Sequence, residues 1–333
     1  MMTDDVFIER LREIEHMARP DGPGPVLFHY FPASGLKYLI GPDADIACAG
    51  CRSQEKDEDE ILAGVNAFTE WLETDIKYSL CHVRAIERMI KDILVIGERI
   101  NPIVPYIFCL TTEKDSEYFW RTFTKEGGYS AEIDATNLIA SCNLICAESM
   151  CLEKSDCRMM YLFPTLYIGV DDIAIKMLFK LLYDKYRMAF DKYAKGFPFL
   201  GIGGVQTDIL KAILFAAFII KGLRFEIERE WRLVMLSAQR DFEEAERSLL
   251  DAIANNVENP KPRVRTGIIG KCPTGFCGIV KGVWVSPQGD QSNLCEDLKI
   301  QFSKIRKEHM GALPVVRKSS YSAFKRSQVF LMS

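Results

Sequence analysis

The chain has 333 residues, 48% hydrophobic, 26% charged and 11% aromatic, the usage of an ordinary globular protein, which excludes a disordered or fibrous chain. That length allows one large domain or two modest ones with a substantial core, so no disulfide or metal staple is needed to hold it. A formal charge of −4 gives no global attraction for nucleic acid or an anionic membrane, and any such binding has to come from a local patch.

Eleven cysteines are the one unusual count, compatible with a disulfide framework, a metal site or a reducing compartment. The opening Met1-Met2-Thr3-Asp4-Asp5 is acidic and lacks the basic and apolar regions of a secretory signal. The expectation is therefore a cytoplasmic protein whose thiols stay reduced and serve mostly as small packing residues. The longest apolar stretch, Ile213 to Ile220 between Lys211 and Lys221, is far shorter than the roughly 20 residues of a membrane span and reads as a buried helix.

In chain order, Val6, Phe7, Ile8, Leu11, Ile14 and Met17 have helical spacing over 4–18, and the Pro/Gly segment 19–25 ends that helix. A first strand begins at Val26, followed by a short helix at 35–40 and a polar loop with Cys48, Cys51 and the charge run Glu55–Glu60. Asp57 and Glu60 resemble a helix start ahead of Ile61, Val65, Phe68 and Leu72, and a second helix runs from about 76 to 96. Tyr106–Leu110 reads as a strand, then a helix carries Phe119, Trp120 and Phe123, and Gly127-Gly128 turns into a strand at 129–133. Further on come a helix at 134–150, strands within 157–168, a long helix at 171–194, a glycine loop at 201–204 and the apolar helix at 207–221. A strand at 225–235, a Glu-rich helix at 240–255, a strand at 279–285, a helix at 291–308 and a basic tail complete the chain. The class is α+β, a mixed sheet core with long inserted and flanking helices. Residues 1–24 form an N-terminal helix and linker, and 25–333 a single large domain.

Most of the candidate chemistry lies in Phe225-Glu226-Ile227-Glu228-Arg229-Glu230-Trp231-Arg232-Leu233-Val234. Alternation along a strand puts Glu228, Glu230 and Arg232 on one face, and Ile227, Trp231 and Leu233 on the other. A pair of carboxylates then lies within reach of one ligand; the plain alternative is a solvated strand face with the acids paired to Arg232. His29, one of four histidines, lies on the opposite strand face from Phe28 and Tyr30. Trp120 and Phe123, three apart, share a helix face suited to core packing.

Read in order, the following segments resemble the pattern of a bacterial family catalogued as domain of unknown function 2971, over about residues 26–325: His29-Tyr30, Phe108 to Thr112, Asp115, Trp120 with Phe123, Gly127-Gly128, Glu228-Arg229-Glu230-Trp231-Arg232, Val283-Trp284-Val285-Ser286-Pro287, and Ser319-Ser320 ahead of Lys325. The Glu-x-Glu-Trp-Arg element is the most specific. The family's Asn-Asp-Pro-x-Glu motif is absent, replaced by Ala47–Arg52 and the acidic run, and Ser286 stands where glycine is usual.

The same order of parts is similar to the ADP-ribosyltransferase superfamily, and this resemblance implies an ADP-ribosyltransferase-like fold and NAD as substrate. Carried over, it makes His29 the residue that orients the cofactor, with Tyr30 and Arg232 also binding it. Thr111 or Thr112 supports the site, and Trp120 or Phe123 stacks on nicotinamide. Glu230 is the implied catalytic carboxylate, with Glu228 beside it. Breaking the glycosidic bond of NAD builds positive charge on the ribose, which a fixed carboxylate stabilises far better in a dry site than in water. A second carboxylate can accept the proton of an incoming nucleophile. The implied role is a bacterial effector or toxin that modifies an acceptor macromolecule, with a looser association with antiviral defence.

Competing signals are weaker. Cys48 and Cys51 with Cys81-His82 hold the ingredients of a zinc site, but adjacent residues of a helix diverge, and the expectation is no metal. Gly201-Ile202-Gly203-Gly204 lacks the Lys-Ser/Thr of a phosphate loop and reads as a turn. The region 304–326 holds seven basic residues, Lys304, Arg306, Lys307, Arg317, Lys318, Lys325 and Arg326, a candidate patch for nucleic acid or a partner protein. The alternative to a transferase is a non-catalytic binding or regulatory module using that patch.

Overall fold

A computed structural model describes residues 2–39, 45–50, 58–96, 105–124, 127–150, 159–194, 205–236, 247, 263–266, 268–272, 276–308 and 313–319. Cys51, the glycine loop 201–204, the Glu-rich helix expected at 240–255 (apart from residue 247) and residues 320–326 lie outside them. The helices are α1 (Asp4–Ala18), α2 (Leu36–Leu39), α3 (Glu58–Thr74), α4 (Leu80–Ile96), α5 (Glu117–Phe119), α6 (Ala135–Met150), α7 (Asp172–Lys185), α8 (Arg187–Ala194) and α9 (Val205–Ile219), with a further helix at Gln291–Glu308. The strands are β1 (Val26–Pro32), β2 (Ala47–Gly50), β3 (Pro105–Thr111), β4 (Gly128–Asp134), β5 (Met159–Pro164), β6 (Leu166–Tyr167), β7 (Ile220–Lys221), β8 (Glu230–Leu236), β9 (Arg263–Arg265), β10 (Val280–Val285) and β11 (Val315–Lys318). The class is α+β. The chain divides into two compact units: Met1–Pro23, Cys48–Cys109 and Cys142–Arg265 form the first, and Gly24–Ala47, Leu110–Ser141 and Thr266–Ser333 the second.

In the first unit the helices bury one large apolar core. The spacing of Phe7, Leu11 and Ile14 puts all three on the inner face of α1, which Thr3 caps by accepting from the Val6 amide at 3.5 Å. The apolar run of α9 is buried throughout, from Ala212 to Ile219. Val65, Phe68 and Leu72 of α3 face the same core. Gly64 lets the two backbones meet, because a Cβ there would lie 2.6 Å from Ala217 Cα, a main-chain atom that cannot swing aside. Gly64→Ala is therefore expected to cost about 1–3 kcal/mol of stability despite its better helix propensity, read as a lower urea midpoint; an unchanged or higher midpoint contradicts the close approach.

In that unit β5 runs antiparallel to β8, from Met159 opposite Leu236 to Pro164 opposite Trp231. Strand β8 also pairs with β3, β3 with β2, and β2 with β9. Two sequence expectations need correction here. The helix expected over 171–194 is two helices, because Tyr186 leaves helical geometry at φ −106° and ψ 19°. The strand expected over 225–235 begins only at Glu230: Leu223–Glu228 is a 3₁₀ turn, and Arg229 is left-handed at φ 40°. Ile227, expected on the packed face, is consequently 60% exposed, whereas Trp231 and Leu233 are buried as expected.

The second unit is built on a mixed sheet. Strand β1 is antiparallel to β4, β4 is antiparallel to β10, and β10 is parallel to β11. Register places Tyr30, Ser130, Trp284 and Arg317 in one row, and His29, Ala131 and Val283 in the row beside it on the other face. Trp120 and Phe123 do not share a buried face. Helix α5 passes at Trp120 into a wide π-type turn ending at Thr124, which rotates Phe123 outward to 42% exposure while Trp120 is buried.

Candidate functional site

The 3₁₀ turn and the left-handed Arg229 decide the geometry of the carboxylate pair. Glu228 and Glu230 do not alternate along one strand. The turn instead folds both onto Lys221 of β7, whose Nζ lies 2.7 Å from Glu228 Oε2 and 2.7 Å from Glu230 Oε2. Arg232 Nη2 stands 3.0 Å from the same Glu230 oxygen, and its Nη1 donates to the Phe218 carbonyl at 2.6 Å. Two acids and two bases make a neutral quartet. Their exposures are 3% for Lys221, 8% for Glu228, 6% for Glu230 and 2% for Arg232, so the solvated strand face of the plain reading is replaced by a buried ion cluster. The pairing of acid to Arg232 expected in that reading is present.

Burial by itself would push the Glu230 carboxyl up. The Arg232 guanidinium and the Lys221 ammonium outweigh it, with hydrogen bonds from Cys109 and Lys221, and hold the group at about 2. Glu230 is thus a carboxylate at any physiological pH. The Cys109 thiol behaves oppositely: burial, then the Glu230 charge, raise it well above the ordinary thiol range. Cys109 is therefore a hydrogen-bond donor to Glu230 and not a nucleophile. Lys221 and Cys109 were not legible as site residues in the sequence. Lys221 reads as the charge ending an apolar helix, and Cys109 as one apolar position in a strand.

The main chain of Glu230 is fixed as firmly as its side chain. Its amide donates to the Tyr167 hydroxyl at 3.0 Å, and its carbonyl accepts from the Thr165 amide at 2.9 Å. Burial pushes the Tyr167 phenol up, so the hydroxyl stays neutral.

The residues that the resemblance assigns to cofactor binding other than Arg232 lie in the second unit. Tyr30 donates to the Glu113 carbonyl and accepts from the Ser116 amide, both at 3.0 Å, pinning the turn between them. Within that turn Asp115 is left-handed at φ 52°, and its Oδ1 accepts from Trp120 Nε1 at 2.8 Å and from Ser319 Oγ at 2.5 Å. Trp120, five residues on, and Ser319, far along the chain, therefore meet at one Asp115 oxygen. The Trp120 ring is edge-on to Tyr30 at 4.8 Å. Phe123 stacks on Phe119 at 5.6 Å. Thr111 accepts from the Glu113 amide at 3.1 Å, and Thr112 is partly exposed. His29 stacks on Phe31 at 5.7 Å, on the opposite sheet face from Tyr30. Arg317 pairs with Glu132, which also accepts from Trp284 Nε1 at 3.3 Å. That part of the basic region is engaged within the fold.

Among the described residues no group of three or more His, Cys, Asp or Glu side chains is disposed to hold a metal. Cys48 is buried, Cys81 is exposed, and His82 Nδ1 is hydrogen-bonded to Ser79 Oγ at 2.8 Å. No helix among those residues is long and apolar enough to cross a membrane. Comparison with protein-family models, with curated proteins and with solved structures gives no match.

Proposed function

We propose that the protein is an NAD-using enzyme of ADP-ribosyltransferase type, an effector that splits the nicotinamide–ribose bond with Glu230 as its charge-stabilising carboxylate. The observation carrying this reading is a pair of carboxylates in Glu-x-Glu spacing, both touching one ammonium, with Glu230 held ionised down to about pH 2. In the proposed step the glycosidic C–N bond breaks and its electron pair leaves with neutral nicotinamide. The ribose carbon gains positive charge, which an ionised carboxylate offsets in a low-dielectric setting. A hydroxyl of water or of an acceptor macromolecule forms the new C–O bond, and Glu228 takes its proton. The resemblance of the residue pattern to the superfamily supports the substrate.

A second reading rests on the near-complete burial and mutual ion pairing of the same quartet, which suit a cluster that holds the fold. The chain is then a binding or regulatory module. Incubation of purified protein with NAD labelled in the adenylate, with and without cell extract, separates the two. The transferase releases nicotinamide or transfers label to a macromolecule. Unchanged NAD in every arm contradicts it and leaves the module.

A further inference from the structure

We propose that Arg19, at the end of the N-terminal helix, is a positioning residue for Glu230, acting through Asp171, Thr165 and Tyr167; the inference deepens the reading of Glu230 as a catalytic carboxylate and rests on it. Arg19 closes α1, its amide returning to the Glu15 carbonyl at 2.8 Å. From there its guanidinium forks onto Asp171, Nη1 to Oδ1 at 2.9 Å and Nη2 to Oδ2 at 3.2 Å, and Nη2 also donates to the Thr165 carbonyl at 3.1 Å. The same group lies 5.7 Å from the centre of the Tyr167 ring. Asp171 Oδ2 accepts from the Tyr167 amide at 2.9 Å. Arg19 therefore holds both residues, Thr165 and Tyr167, that grip the carbonyl and the amide of Glu230.

The arrangement is specific to a planar, two-pronged cation. A bidentate guanidinium fixes direction as well as distance, whereas an ammonium is a point charge without the planar fork that matches both carboxylate oxygens. Asp171 is buried, and Arg19 is largely so, so the pair is screened less than a surface ion pair. The ordinary reading, that the pair only fastens α1 to the unit, makes a different prediction. Fastening protects every amide of the unit alike, whereas positioning concentrates the effect on one peptide at the start of β8.

Amide hydrogen exchange on the full chain distinguishes these readings, comparing wild type with Arg19→Gln and with Arg19→Lys, which keeps the charge and supports folding where the first variant does not. Tyr167→Phe is the reference for complete loss of the hydroxyl. Positioning predicts that the Glu230 amide loses protection by about tenfold or more in the Arg19 variants, while the amides of Leu233 to Met235 in the same strand change by less than about threefold. An equal change along the strand, or none at Glu230, overturns the proposal. Nicotinamide release is measured on the same samples. If wild type releases none while the Glu230 amide responds as stated, the enzymatic reading fails and the link from Arg19 to Glu230 stands. If it does release nicotinamide, the Arg19 variants lower kcat and leave KM unchanged.

Discussion

Lys221→Met is expected to lower the unfolding free energy by about 3–5 kcal/mol, as for removal of one partner from a buried ion cluster. The lysine ammonium lies 2.7 Å from a carboxylate oxygen of both Glu228 and Glu230. Without it the two buried carboxylates lose the ammonium they share, and Glu230 keeps Arg232. One of them has to take up a proton or drag in water, either of which costs folding energy at neutral pH. The penalty should therefore shrink as the pH falls and protonation becomes cheap. Lys221→Met with Glu228→Gln restores one acid to one base, Glu230 with Arg232, and should recover a large part of the loss. Urea unfolding of wild type, both single variants and the double variant gives the coupling directly. Additive losses would mean that Lys221 and Glu228 do not share one cluster.

The second large effect is on acid stability. The Glu230 carboxyl falls from an ordinary 4.5 to about 2 on folding. A group whose folded value is depressed contributes stability that is fully present above the unfolded value, and that contribution is lost as the pH falls from 4.5 toward 2. For a buried group with this displacement the contribution is about 3 kcal/mol. Glu230→Gln removes the titration. The variant is less stable than wild type at neutral pH, because Lys221 and Arg232 lose a partner, and its stability falls less steeply on acidification. Urea melts between about pH 5 and pH 3 should show wild type losing more stability per pH unit than the variant, by up to about 1.4 kcal/mol. Parallel slopes would show that Glu230 is not held ionised by the cluster.

Much of the helical framework was legible because period and punctuation agree. The inner face of α1 follows from Phe7, Leu11 and Ile14, and its end from the Pro/Gly segment after Arg19. The buried α9 follows from its unbroken apolar run. What was missed has a common cause, namely backbone conformations that the residue types do not announce. Phe225 to Arg232 alternates as a strand does, yet the left-handed turn is made by Arg229, with no glycine or asparagine to mark it. Tyr186 breaks the helix at 171–194 without proline or glycine. Trp120 to Thr124 winds as a π turn, so three-residue spacing no longer means one face.

The candidate site was half legible for a related reason. Glu230 and Arg232 are two apart on β8, and their pairing can be anticipated from alternation, whereas Glu228 joins the cluster only through the turn at Arg229. Lys221, Cys109 and Tyr167 come from β7, β3 and β6, and only strand pairing brings them to the carboxylates. In the second unit the hydrogen bonds of Trp120 and Ser319 to one Asp115 oxygen were not legible, because only the fold brings residue 319 beside residues 115–120.

The role of Glu230 is decided by nicotinamide release from NAD by purified wild type and by Glu230→Gln, with rates normalised to the folded fraction of each from its melting curve. With Glu230 as the charge-stabilising carboxylate, wild type releases nicotinamide and kcat of the variant falls by about a hundredfold or more, as when a preorganised charge facing a developing one is removed. Equal rates per folded molecule, or no release by either protein, would contradict that role.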